Sequence, residues 1–390
     1  MVLSKSAILN SSKTWGCLFT ALFTLCACWN TAPLVGENDA GGSGGSLGGD
    51  GAGASVGSSD SSGSNGTEVT SSGNSGSTST GGNAGPAAPD GYYTQGNTIF
   101  HESGNPHIFR GMARPSLEWN PKGEQLSPSD YQMLASWGAN VVRIALNQGY
   151  WLEGSAYYAP EYKSTVDQNI EWAQNAGLDV IVDLHWTDKG NFANKPDQQR
   201  MADKNSVTFW TSVAERYKNN GRVLYELYNE PRDISWEVWQ HGGDSGDGFD
   251  AVGMQELYDT VRATGAHNLV IIGGLRWAYD LSGVPAHRIN GYNIVYATHV
   301  YDYGDKQPSM WEQDWGFLTT TDPVFITEFG SSANCSGSWN QQLLDYAATR
   351  KLSWAAWAWY PGGCSFPALI EDWAGTPTAA GQVIKAALSK

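Results

Sequence analysis

Basic residues are scarce in this chain of 390 residues: 23 Lys and Arg stand against 39 Asp and Glu, a formal net charge of −16. A nucleic-acid partner needs a basic footprint, so polyanion recognition is excluded as a main role. Long apolar runs are missing too. No stretch of 18 apolar residues occurs, so the sequence offers no membrane-spanning helix. No Gly-x-Gly-x-x-Gly follows the first strand pattern and no Gly-x-x-x-x-Gly-Lys-Ser/Thr occurs, which leaves nucleotide binding without support. There is no His-Glu-x-x-His and no close-spaced ligand pair for a catalytic zinc. Cysteine is rare, at five. Tryptophan is abundant, at 18, and flat aromatic faces stack well on sugar rings as well as filling cores.

Lys5 and Lys13 precede an apolar stretch, Trp15 to Ala27, with the layout of a secretory signal. It ends Leu25-Cys26-Ala27-Cys28, which resembles a bacterial lipoprotein signal with Cys28 as the lipidated residue; Cys26 departs from that pattern, and plain secretion is the alternative. Residues 1–28 are thus expected to be a signal peptide and 29–89 a flexible linker. From Gly36 to Ala88 the chain is almost all Gly, Ser, Asn, Thr and Ala, too polar to offset its chain entropy by burial. As a random coil it would reach about 40 Å. The expected location is extracellular or on the cell surface, with a membrane contacted only through the lipid. Cys17 and Cys26 would leave with the signal, so Cys335 and Cys364 remain, an even pair that reads as a disulfide or as two buried thiols.

Residues 90–390 carry the folded domain. Candidate strands are Ile108–Ala113, Val141–Leu146, Asp179–Leu184, Val223–Tyr228, Leu269–Ile272, Ile294–His299, Val324–Thr327 and Trp354–Trp359. Helical patterns cover Ser129–Trp137, Thr165–Ala176, Val207–Asn219, Met254–Thr264, Trp339–Lys351 and Thr378–Leu388. The strands are mostly continuous apolar runs, as in a parallel sheet covered on both faces, and their alternation with helices implies βαβ units. Eight such strands predict an α/β fold of the (β/α)8 TIM-barrel type, with an open doubly wound sheet as the alternative. The segment Tyr92–Phe109 is expected to form a small hairpin under the barrel.

In a barrel of this type, function gathers where the strands end. Arg143 lies on the second strand. The third ends Asp183-Leu184-His185-Trp186, the fourth Tyr228-Asn229-Glu230-Pro231, the sixth Thr298-His299-Val300-Tyr301, the seventh Thr327-Glu328-Phe329-Gly330, and the eighth carries Trp357-Ala358-Trp359-Tyr360. Polar side chains at so many strand ends are costly beside apolar strands unless they do chemistry. Glu230 and Glu328, on strands four and seven, can face each other across the mouth. Paired carboxylates with separated pKa values are what glycoside hydrolysis requires. Arg143 is expected to keep Glu328 ionised, and a less cationic pocket to keep Glu230 protonated.

With the Asn-Glu-Pro turn, the His-x-Tyr pair and the Thr-Glu-Phe-Gly segment in this order and spacing, the region from Tyr93 to Ala386 resembles glycoside hydrolase family 5, the cellulase family. The resemblance implies a retaining enzyme with Glu230 as acid/base and Glu328 as nucleophile. It implies Asn229 on the sugar 2-hydroxyl, Arg143 and Tyr301 on the nucleophile, and His185 and His299 lining the catalytic subsite. A Trp platform after strand eight is implied at Trp357, with Trp359 as the alternative. No cofactor or metal is implied. The expected partner is a β-linked polysaccharide and the expected state a monomer. The leading activity is endo-β-1,4-glucanase; β-1,4-mannanase, another β-glucanase, transglycosylation and a non-catalytic carbohydrate-binding lipoprotein are the alternatives. Trp119, Trp151, Trp186, Trp236, Trp239, Trp277, Trp311 and Trp315 fall in or near strand-to-helix loops, as platforms or packing. Trp137, Trp172 and Trp210 read as core. His101, His107, His241, His267 and His287 read as surface or loop residues. Asp244, Asp247 and Asp250 resemble a calcium loop, but their spacing departs from an EF-hand and reads as a solvated loop.

Overall fold

The computed structural model describes residues 85–331 and 335–390. The expected signal, Cys28 and nearly all of the expected linker lie outside the described residues. The first described residues are fastened to the barrel. Asn293 donates from Nδ2 to the Pro86 carbonyl at 2.9 Å, the Gly221 N–H reaches the Pro89 carbonyl at 3.0 Å, and Ala88 is buried. Within the stretch that composition assigns to the linker, residues 86–89 therefore pack as part of the domain.

Strands β1 (Tyr92–Gln95) and β2 (Thr98–His101) pair antiparallel. Then come β3 (Arg110–Arg114), β4 (Val141–Asn147), β5 (Asp179–Trp186) and β6 (Val223–Glu226). A two-residue hairpin follows, β7 (Gly243–Asp244) with β8 (Asp250–Ala251). The last strands are β9 (Val270–Gly273), β10 (Ile294–Tyr301), β11 (Val324–Gly330) and β12 (Ser353–Ala356). The barrel order is β10-β11-β12-β3-β4-β5-β6-β9, every pairing parallel, and β12 against β3 closes the ring. That closure excludes the open sheet. The helices are α1 (Pro128–Ser136), α2 (Gln148–Trp151), α3 (Tyr162–Asn175), α4 (Lys204–Tyr217), α5 (Trp236–His241), α6 (Met254–Ala263), α7 (Pro308–Asp314), α8 (Gly337–Arg350) and α9 (Ala379–Leu388).

Local chemistry starts these helices. Ser127 accepts from the Asp130 N–H ahead of Pro128 at the first turn of α1. Asp203 and Ser206 form a reciprocal capping box on α4, whose buried stripe is Phe209, Trp210, Val213, Ala214 and Tyr217. The unanticipated elements, α2, α5, α7 and β7–β8, are too short to carry a readable period. The expected fourth and eighth strands overran. Their ladders stop at Glu226 and Ala356, beyond which the chain turns outward to build the mouth.

The barrel interior is layered with period two. Val141, Ile181, Leu224, Ile271, Ala297, Phe325 and Ala355 form an apolar floor with Phe109, closed below by Tyr92 and Ile99 of the first hairpin. Two residues further along the strands stand Arg143, Asp183, Glu226, His299, Thr327 and Trp357. Alternation therefore lifts a polar layer onto an apolar one.

Cys335 and Cys364, after β11 and β12, have their sulfurs 2.08 Å apart and close a loop with a sequence separation of 29. Loop closure of that length contributes about 2–4 kcal/mol through the unfolded state. Replacing both by Ser should lower the urea midpoint by a corresponding amount; an unchanged midpoint would show that the link adds nothing.

Candidate active site

Arg143 occupies the barrel axis with no solvent exposure. Its Nε donates to Glu226 Oε2 at 2.5 Å, Nη1 to Glu328 Oε2 at 2.9 Å and Nη2 to Asn229 Oδ1 at 2.7 Å, while Asp183 Oδ2 lies 3.0 Å from Nη2. Burial opposes its charge, yet Asp183, Glu226 and Glu328 outweigh that and raise its pKa above the usual range. The same fork fixes Asn229. With its oxygen committed to Arg143, the amide presents NH2, which lies 3.4 Å from His185 Nε2. His185 in turn bonds Asp183 through Nδ1 at 2.6 Å and stacks parallel to Trp357, centroids 5.8 Å apart. Burial would lower the His185 pKa, but Asp183 raises it.

Glu328 lies two residues before the end of β11, the seventh barrel strand. Arg143 holds its Oε2, and the Tyr301 hydroxyl donates to its Oε1. Burial and then the Glu328 charge push the Tyr301 pKa well above its usual range, so the phenol stays a donor. Glu230 stands opposite, just past β6. His299 Nδ1 is 3.0 Å from its Oε1, and the Gln198 amide donates to its Oε2. His299 Nε2 meets the Thr327 hydroxyl at 3.1 Å.

The expected protonation of Glu230 is not what this geometry favours. Burial would raise its pKa, but the His299 hydrogen bond and charge hold it below the usual carboxylate range. Burial works against charge on His299 as well, but Glu328, Glu226 and Glu230 push it up to about 9. The two groups favour each other's charged forms across this hydrogen bond.

All eight sequence-derived residues meet at this mouth: Glu230, Glu328, Arg143, His185, Asn229, His299, Tyr301 and Trp357. Trp359 does not; it is buried, bonds Asp130 at 2.8 Å and packs edge-on to Trp137. Sequence reasoning missed the roles of Glu226, Asp183, Gln198 and Glu118. Glu226, whose pKa burial would raise, is held down at about 2, chiefly by Arg143. Glu118, in the loop after β3, accepts from the Ser116 N–H at 2.7 Å, and burial pushes it up to about 7 against the pull of His185. The Asp183 and Glu226 positions were readable as inward-facing by alternation from Ile181 and Leu224.

Of the loop tryptophans, Trp151, Trp239, Trp311 and Trp315 are fully buried packing, and only Trp277 is strongly exposed, at 42%. Trp119, Trp186 and Trp236 are half-buried. Asp247 of the acidic loop pairs with Lys189 at 2.9 Å, and Asp244 accepts from the Gly246 N–H. His107 is a loop residue packed against Tyr92 and Phe109. Glu230, His299 and Glu328 each offer a ligand atom, all within 4.8 Å of one another. The donor set suits a metal poorly, because both His299 nitrogens are engaged and the Arg143 guanidinium already neutralises Glu328.

Comparison with known proteins identifies the family. The family model described as Cellulase (glycosyl hydrolase family 5) matches residues 100–363. The chain is 26% identical over 320 residues to Endoglucanase E-5 of Thermobifida fusca, covering 75% of this chain and 62% of that protein. It is 24% identical over 343 residues to an endoglucanase of Paenibacillus polymyxa, covering 74% and 84%. It thus spans about three fifths of the Thermobifida relative's length. Among solved folds it is similar to the beta-glucanase SdGluc5_26A of Saccharophagus degradans in complex with cellotetraose, with TM-score 0.65, 24% identity and coverage of 78% and 94%. The endocellulase of Pyrococcus horikoshii shares the fold at TM-score 0.62 and 18% identity, with coverage of 77% and 100%. The chain belongs to glycosyl hydrolase family 5.

Proposed function

We propose that the chain is a retaining endo-β-1,4-glucanase that cleaves a β-linked polysaccharide through a covalent glycosyl-enzyme intermediate. The spacing of Glu230 and Glu328 carries this reading. One oxygen of each lies within 4.8 Å of the other, which fits the roughly 5–5.5 Å between carboxyl groups of retaining enzymes better than the roughly 6.5–9.5 Å that an intervening water needs. The glucan assignment is supported by the endoglucanase names of the relatives and by the cellotetraose held in the Saccharophagus structure.

In the first step Glu328 Oε attacks the anomeric carbon, the glycosidic C–O bond breaks, and the leaving oxygen takes a proton from Glu230. In the second, Glu230 takes a proton from water, the oxygen attacks the same carbon, and the bond to Glu328 breaks. Two inversions give retention. Arg143 and Tyr301 aim Glu328 at the carbon, and Asn229 offers its NH2 to the 2-hydroxyl. Glu230 takes up the proton that the first step consumes from solvent, on the oxygen facing the leaving group, while His299 holds its other oxygen. Trp357 supplies the apolar face on which the sugar stacks.

A mannan substrate would use the same constellation, so the substrate choice rests on the loops. A sugar in place of water as acceptor would give transglycosylation. The non-catalytic reading is disfavoured, because both carboxylates and their partners are in place. The proposal places the protein outside the cytoplasm as a monomer, with Cys28 as the lipid attachment.

Two variants test the roles. Glu328→Ala should abolish release of reducing sugar from carboxymethylcellulose while leaving the melting temperature near wild type. Added azide should restore part of the turnover of an activated aryl cellobioside as the α-glycosyl azide. Near-normal polysaccharide activity would overturn the nucleophile assignment. Glu230→Ala should cut polysaccharide turnover by about 10²–10⁴-fold while sparing the glycosylation step of substrates with good leaving groups. Equal loss on both substrate types would overturn the acid role.

A further inference from the structure

The acid/base carboxylate is occupied on both oxygens. His299 holds Oε1 from inside the barrel, where it is fully buried. The oxygen left to meet a substrate is Oε2, and there the amide of Gln198 donates. An N–H donor at that point needs an Oε2 that does not carry the acid proton, whereas a leaving-group oxygen must receive that proton from it. Gln198 and the leaving oxygen therefore compete for the same oxygen of Glu230, one when it is bare and the other when it carries a proton.

The Gln198 backbone is pinned. The Arg232 Nη2 donates to its carbonyl at 2.5 Å, and the Tyr228 hydroxyl holds the Gln199 carbonyl at 2.6 Å. The loop is clamped further by reciprocal Thr187–Asp197 backbone bonds of 3.0 and 2.9 Å. The side chain is half-buried and has rotatable bonds of its own. A side-chain rotation, with no loop movement, is sufficient to vacate the site.

We propose that Gln198 is a positioning residue that fills the leaving-group side of the catalytic centre in the free enzyme, and that the first sugar of the leaving group displaces it from Glu230. This rests on Glu230 being the acid/base. Binding of that sugar then costs the Gln198–Glu230 hydrogen bond before any chemistry, while the Michaelis complex no longer contains it. Gln198→Met keeps the volume of the side chain and removes the donor, so it should lower KM without lowering kcat.

The test uses cellopentaose, or mannopentaose if galactomannan is the polymer cleaved, with wild type, Gln198→Met, Gln198→Ala and Glu230→Ala in parallel. The expected result is a KM reduced about threefold to tenfold in Gln198→Met, the scale of one charge-assisted hydrogen bond partly replaced, with kcat unchanged. Gln198→Ala should move in the same direction and guards against a misfit of Met. Equal losses in kcat and kcat/KM would show that Gln198 makes an interaction in the transition state alone and overturn the proposal. A raised KM at constant kcat would make Gln198 a simple substrate contact and overturn it equally. If Glu230→Ala turns over the oligosaccharide normally, the acid/base assignment fails and the proposal with it; if that variant is inactive and Gln198→Met shows no fall in KM, the proposal fails alone.

Discussion

One buried guanidinium organises this molecule. Arg143 sits on the barrel axis with three carboxylates and an amide oxygen around it, each within 3.0 Å. A charge in that position is tolerable only because its partners surround it. The dependence runs both ways. Removing the guanidinium would leave Asp183, Glu226 and Glu328 facing one another in a dry interior, a loss of about 3–5 kcal/mol for a broken buried pair. The orientation of Glu328, the orientation of the Asn229 amide and the placing of Asp183 beside His185 all involve this one side chain.

The second organising interaction is the Glu230–His299 bond. Glu230 and Glu328 sit close together, and the proposed mechanism needs a proton on the first without neutralising the second. Arg143 and Tyr301 hold Glu328, while His299 hydrogen-bonds Glu230. The division of labour comes from the partners rather than from the carboxylates, which are chemically the same. The apolar layer beneath, from Val141 to Ala355, excludes water and strengthens each of these interactions.

Much of this was legible in the sequence, for a physical reason. A parallel barrel buries its strands on both faces, so they appear as apolar runs such as Val180, Ile181 and Val182 or Val324, Phe325 and Ile326, and a polar residue at their ends stands out. Glu230, Glu328, Arg143 and His299 were readable on that basis. Glu226 was absorbed into an apolar run and passed as part of a strand. Gln198 lies in an irregular loop with no period, and its contact with Glu230 joins residues 32 apart through tertiary structure alone. Burial of the loop tryptophans was equally hidden, because Trp277 and Trp239 look alike in sequence and differ only in what packs over them.

The central claim is double displacement across Glu230 and Glu328, and the anomeric configuration of the first-formed product tests it most directly. Proton NMR of cellopentaose hydrolysis, recorded before mutarotation, should show the β-anomer appearing first and the α-anomer growing in later. Initial release of the α-anomer would contradict the account, because it would mean a single displacement by water and a nucleophile role that Glu328 does not have.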